Sequence, residues 1–162
     1  MYLQDSAVRD IWGYYDAEEN REYAIVGSLG AVSIVEVTDP YNPVYSAFLP
    51  GVPGFDVKVW DHYVYAVEGG GFGIGKIIDI SDPTNPEEVG TFEDAHNIFI
   101  DEQGYLVASR IGTKIYNLNN TPESPQLVFQ DSTTFAHDAF ILHDMLFSFN
   151  GSNGIRIYDV KD

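Results

Sequence analysis

Four stretches of this chain are versions of one sentence. "AVSIVEVTDPYNPVYSAFLP" (31–50), "IGKIIDISDPTNPEEVGTF" (74–92) and "GTKIYNLNNTPESPQLVF" (112–129) each give a strand, a turn and a second strand, and "NGIRIYDVKD" (153–162) begins the same way. Aligned, they stack Glu36, Asp79, Asn117 and Asp159 in one column, at spacings of 43, 38 and 42. A period near 40 is the size of one four-stranded propeller blade, and such a unit cannot bury its apolar face alone. Neighbouring copies must stack, and this constrains the chain more than any single motif.

Within each unit the pattern is β throughout. Short alternating runs of Val, Ile, Tyr and Phe are closed off by Gly, Asn, Asp and Pro, and helical periodicity is nearly absent. An inner strand ("DIWGYY", "DVKVWD", "NIFIDE", "DAFILH") is followed by a second ("EYAIVG", "YVYAVE", "YLVASR", "LFSFNG"), then by the third strand of the repeat and an outer strand after the prolines. Asp-Pro-x-Asn-Pro suits the last connection, because Asp closes a turn with its side chain while proline presets φ and cannot donate to a ladder.

The expectation is an all-β fold: a β-propeller of about four blades, each a four-stranded antiparallel sheet, in one domain spanning 1–162. The repeats run approximately 9–54, 55–95, 96–136 and 137–162, the last completed by residues 1–8 as its outer strand. "YLQDSAVRDIW" reads like "LVFQDSTTFAHDAF", the passage from an outer strand to the next inner one, so the N-terminal strand would tie the ring and remove an open edge. Two alternatives stand beside this closure. The chain is a slice of a longer propeller, or two chains combine four blades each into an eight-bladed ring.

Eight Lys plus Arg against 25 Asp plus Glu leave a net charge of −17, which repels phosphate backbones and anionic lipid surfaces and excludes nucleic acid as an expected partner. The apolar runs are too short for a membrane span, and no signal peptide opens the sequence. Without cysteine there is no disulfide, thiolate metal site or thiol nucleophile.

The third-strand motif "KIIDISDPTNP", with "EEVGTF" after it and "HYVYAVEGG" before it, resembles the LVIVD repeat of secreted β-propellers. "RDIWGYYDAEENREYAIVG", "GAVSIVEVTDPYNP", "FDVKVW" and "AHNIFID" together resemble the choice-of-anchor B proteins more specifically. The resemblance covers essentially the whole chain. It implies a propeller presented outside the cell or at its surface, and it brings no defined activity with it.

Lining up the inner strands gives two columns at the face where a propeller opens onto its channel. One holds Arg9, Phe55, His96 and His137; the next holds Asp10, Asp56, Asn97 and Asp138. Three carboxylates and a carboxamide have the oxygen chemistry of a Ca²⁺ or Mg²⁺ site, whereas two imidazoles beside a carboxylate suit Zn²⁺, Ni²⁺ or Mn²⁺. The candidate metal ring is therefore Asp10, Asp56, His96, Asn97, His137 and Asp138. The competing reading makes these side chains structural, each bonding backbone amides of the next blade.

Loops between second and third strands reach the same face and carry Glu68, Ser109, Arg110 and Asn150, where a protein or small-molecule ligand would dock. The glycine-rich "EGGGFGIGK" (68–76) lacks the following helix that a phosphate cradle requires, so it reads as a hairpin loop. His62 and His143 fall in turns on the opposite face, "DAEENRE" (16–22) reads as a solvated tip, and Trp12 and Trp60 read as interblade core. G-x-S-x-G and H-E-x-x-H are absent. The sequence thus points to a non-enzymatic binding or scaffold module, with a divalent cation as its candidate cofactor and strand exchange between copies as a route to self-association. The alternative is a metal-dependent propeller hydrolase or lactonase that uses the same Asp, Asn and His residues.

Overall fold

Alternating strands joined by tight turns pair as antiparallel meanders, and each repeat makes one sheet. A computed structural model describes residues 7–70 and 73–161. The first sheet orders β1 (Val8–Asp16), β2 (Arg21–Ser28), β3 (Ala31–Glu36) and β4 (Val44–Pro50); the second orders β5 (Asp56–Trp60), β6 (Tyr63–Val67), β7 (Ile74–Asp79) and β8 (Glu87–Glu93). In the third, β9 (Asn97–Ile100) and β11 (Gln126–Phe135) flank β10 (Tyr105–Asn117), and the fourth comprises β12 (Asp138–Leu142), β13 (Met145–Phe149) and β14 (Ile155–Asp159). Among the described residues no helix is long and apolar enough to cross a membrane.

The long β10 does the work of two strands. Its N-terminal half pairs with β9 and its C-terminal half with β11. The amide of Leu118 donates to the carbonyl of Gly104 at 2.9 Å, so the element folds back on itself. Equivalent bonds close the second-to-third strand pair in the other sheets, from Val37 to Glu22, Ile80 to His62 and Val160 to Asp144. Blade three thus has four strands' worth of chain. Blade four has three strands among the described residues.

Turn chemistry follows the sequence closely. Asp39 accepts from the amide of Tyr41 and from the side chain of Asn42, while Asp82 accepts from the amide and hydroxyl of Thr84. Each first Asp of the repeated turn therefore satisfies backbone donors that proline leaves exposed. His143 and Asp144 take positive φ, 50° and 62°, as a two-residue hairpin with the twist of its strands requires.

Blades stack through three apolar clusters. Tyr23, Ile25, Val32 and Ile34 of the first blade meet Val57, Val64, Ala66 and Ile78 of the second. Tyr65, Val67, Ile77 and Phe92 meet Ile98, Leu106, Ala108 and Tyr116. Val107 and Ile115 meet Ala139 and Leu146. Alternate residues of one strand thus serve two seams, as period-2 side-chain geometry dictates. Inner strands β1, β5, β9 and β12 pack side by side in that order. No packing of β12 onto β1 comparable to that of the other inner-strand neighbours is found among the described residues, whose blades form an open arc.

Residues 1–6 of the expected closing strand lie outside the described residues. Its last member, Val8, is not on the fourth blade: it belongs to β1 and sits opposite Ser28.

Candidate functional site at the inner edge of the blades

The acidic column divides in two. Asp10 accepts the amide of Val57 at 3.0 Å, and Asp56 accepts the amide of Ile98 at 2.8 Å, so each carboxylate reaches into the next blade and fixes the start of its inner strand. Asn97 and Asp138 make no equivalent bond among the described residues. Between Asp10 and Asp56 sits the buried ammonium of Lys58, which donates to Asp10 at 3.0 Å, to the carbonyl of Val57 at 3.0 Å, and to Asp56. All three donors of the lysine are used. A cation already stands between these two carboxylates, and the chain itself supplies it.

Burial, and then the neighbouring Asp10, push Asp56 up to about 7 against the pull of Lys58 and the Ile98 amide. Burial also acts upward on Asp10. There it is outweighed by hydrogen bonds from Asp56, Val57 and Lys58, which draw the group down to about 2. Two carboxylates this close ionise one after the other, and near neutrality the second proton belongs to the pair. Trp12 lies with its ring 4.8 Å from the Lys58 ammonium, so this face of β1 packs on the ion cluster and on the second blade.

The neighbouring column forms a continuous row. The Arg9 guanidinium stands 5.7 Å from the centre of the Phe55 ring, Phe55 lies 5.1 Å from His96, and His96 lies 4.6 Å from His137. Phe55 and Arg9 are thus neighbours of the histidines in space as in the alignment. The backbone amide of His96 bonds the carbonyl of Ser109 at 2.8 Å, placing the imidazole at the arc's inner edge. Its Nδ1 lies 3.0 Å from the carbonyl of Gly69. A carbonyl only accepts, so Nδ1 carries the proton and Nε2 presents a lone pair. That Nε2 faces the Nε2 of His137 at 3.3 Å.

The loops contribute unequally. Arg110 donates to the same Gly69 carbonyl at 2.8 Å, so the glycine-rich loop positions both the histidine and the guanidinium. Ser109 is buried and its hydroxyl has no hydrogen-bond partner among the described residues, whereas Asn150 is buried with its amide on the carbonyl of Ser148 at 2.9 Å. The side chain of Glu68 is exposed. Its amide is held by Asp94, a buried carboxylate that the repeat alignment passes over. Lys58 was passed over too, although a lysine between two valines of an inner strand, in a chain with eight basic residues, was a visible signal.

Among the described residues, no three His, Asp or Glu side chains converge on a point where one ion could sit. The six-residue ring is therefore not assembled as one constellation. It separates into an Asp10–Lys58–Asp56 cluster, a His96–His137 pair, and the outlying Asn97 and Asp138. A cavity of about 360 Å³ lies elsewhere, between blades three and four. Its carboxylates are turn formers: Asp101 accepts the amides of Gln103 and Tyr105, and Asp159 that of Lys161. His62 lies in a turn, its ring tilted against that of Tyr63 with centres 4.3 Å apart.

Comparison with known proteins agrees with this architecture. Residues 55–94, which are the second blade with its leading turn, match the LVIVD repeat. The crystal structure of the computationally designed Ika4 protein superposes with a TM-score of 0.69, covering 98% of this chain and 94% of that one at 10% identity. At that identity the likeness shows a shared fold alone. No curated protein matches. The chain is thus an all-β protein of propeller-like blades that carries the LVIVD repeat.

Proposed function

We propose that this chain is a non-enzymatic binding module presented outside the cell, and that the inner edge of its blades takes one divalent metal ion through His96 and His137. The location rests on the resemblance to secreted LVIVD propellers, and more finely to choice-of-anchor B proteins. The metal reading rests on one observation, the 3.3 Å separation of the two Nε2 atoms. Two zinc–nitrogen bonds of about 2.0–2.1 Å at a tetrahedral angle span about 3.3 Å, so this separation, which a hydrogen bond between the imidazoles also spans, matches what a chelating pair requires.

The Gly69 carbonyl on Nδ1 of His96 is the outer support that orients a metal-binding imidazole and strengthens its donor nitrogen. Nitrogen ligands favour Zn²⁺, Ni²⁺ or Cu²⁺ over Ca²⁺. The carboxylates that Ca²⁺ would need, Asp10 and Asp56, are engaged by Lys58 and by strand amides. Remaining positions on the metal are open to water or to a ligand's own donor, which suits a binding site on an exposed face.

Calorimetric titration of the full chain with Zn²⁺ and with Ni²⁺ tests this. One ion per chain is expected, with His96→Ala or His137→Ala weakening it about tenfold or more, while Asp56→Asn leaves it unchanged. Binding that survives both histidine substitutions would place the ion elsewhere and end the proposal.

A further inference from the structure

The repeat gives each strand position a fixed role at the seams, and those roles continue to the two ends of the arc. One column of third-strand residues points from each blade into the next. Ile34, Ile77 and Ile115 lie in the three successive clusters and are each 3% exposed or less, whereas the fourth member, Ile157, is 56% exposed. A second column, on the inner strands, points back towards the preceding blade. Val57, Ile98 and Ala139 lie in the same clusters and are each 1% exposed or less, whereas its first member, Ile11, is 60% exposed.

Each exposed residue heads an apolar face. Ile155 and Leu142 are exposed on the fourth blade with Ile157, and beside them Phe140 stacks on Phe147 and Phe149 at 5.1 and 5.8 Å. Val8 and Tyr15 are exposed on β1 with Ile11. Contiguous faces of this kind mark interaction sites more often than ordinary surface. A polar clue accompanies them. Of the column's three carboxylates, Asp10 and Asp56 each bond the second amide of the following inner strand, at Val57 and Ile98, while Asp138 is exposed and, like the carboxamide Asn97, makes no such bond among the described residues.

We propose that the two faces cover one another between copies: the fourth blade of one chain docks on the first blade of a second, and two chains close a single ring of eight blades. The occupant is a second copy because the junction then repeats the seams already present within the chain. The same columns fill it, and Asp138 meets the amide of Ile11 in the second copy as Asp10 meets that of Val57. Closure within one chain does not do this, since β12 does not pack on β1 among the described residues. Head-to-tail contacts form a ring when the rotation closes. Propellers run to about eight blades, which two copies supply and three would exceed.

Light scattering on the eluting full chain reads the answer. The mass is expected at twice the 18.1 kDa of one chain. Ile157→Lys and Ile11→Glu, both at exposed positions where folding is not at stake, should each return it to one chain, with unchanged far-ultraviolet circular dichroism. Mixing the two variants should recover the doubled mass, because one junction of the mixed pair is then unmodified on both sides. A single-chain mass at every concentration overturns the proposal, as does a dimer that tolerates either substitution or a mass that climbs without limit.

Discussion

Asp56 is the residue at which this fold is most sensitive to protons. In the unfolded chain its carboxyl titrates near the ordinary 3.8, whereas burial and Asp10 hold it at about 7 in the folded one. Between those values the folded chain keeps a proton that the unfolded chain has lost, so the contribution of this site falls as pH rises from about 4 to about 7. Asp10 acts in the opposite sense and lower down, its contribution being present above 3.8 and lost as pH falls towards about 2. The predicted result is that stability declines between about pH 5 and pH 7.5, by an amount on the order of 2–4 kcal/mol from Asp56. Asp56→Asn keeps an acceptor for the Ile98 amide and should flatten that slope. Urea melts at both pH values test it, and equal slopes for the two proteins would remove Asp56 as the cause. The acidic column itself was legible in the sequence, since the repeat brings Asp10 and Asp56 into register. What the column does was not, because the partner that decides it, Lys58, has no counterpart in "NIFI" or "DAFI" and so stands outside the repeat.

Strands were the most readable level, for a physical reason: a period of two and a turn carrying Asp, Asn and Pro state both the element and its end. Register was less readable. The third and outer strands slip by one residue at Ile34/Val35, Ile77/Ile78 and Ile115/Tyr116, the same column in three blades, and no residue type there announces a bulge. The hairpin inside β10 was visible as two strands, "YLVASR" and "GTKIYN", but its tightness was not. Gly112 turns there with φ of 77°, and a Cβ on it would stand 1.8 Å from the carbonyl oxygen of Asp131 in the paired strand. Gly154 has nearly the same φ, 78°, with nothing within 4 Å of a Cβ. The two therefore separate conformational strain from collision. Gly154→Ala, at a φ/ψ of 78° and −151° that is nearly glycine-only, should cost about 1–3 kcal/mol, the strain alone, and Gly112→Ala more, because a ladder backbone must also yield. Equal losses in urea melts would show that β11 moves aside freely and that the seam at Gly112 is loose.

Blade number and order follow from the repeat, but closure does not. A repeat states that units stack and says nothing of the angle between them, which is set by how wide each seam is at the inner edge relative to the rim. Hence four blades could be counted from Glu36, Asp79, Asn117 and Asp159, while the opening left between the first and the fourth among the described residues could not. That opening gives the whole molecule an electrostatic signature. Each copy carries a net charge of −17, so two copies repel one another over the distance at which they meet, while the faces around Ile11 and Ile157 are apolar. Raising salt from about 0.02 to 0.5 M shortens the screening length from roughly 20 Å to under 5 Å. Repulsion is then removed and the apolar attraction left intact. Pairing should accordingly tighten as salt is added, by about tenfold for each 1.4 kcal/mol of repulsion screened. Sedimentation across a salt series measures it directly. The opposite trend, a dimer that dissolves in salt, would mean that charged groups hold the copies together and that Ile11 and Ile157 are not the surfaces that meet.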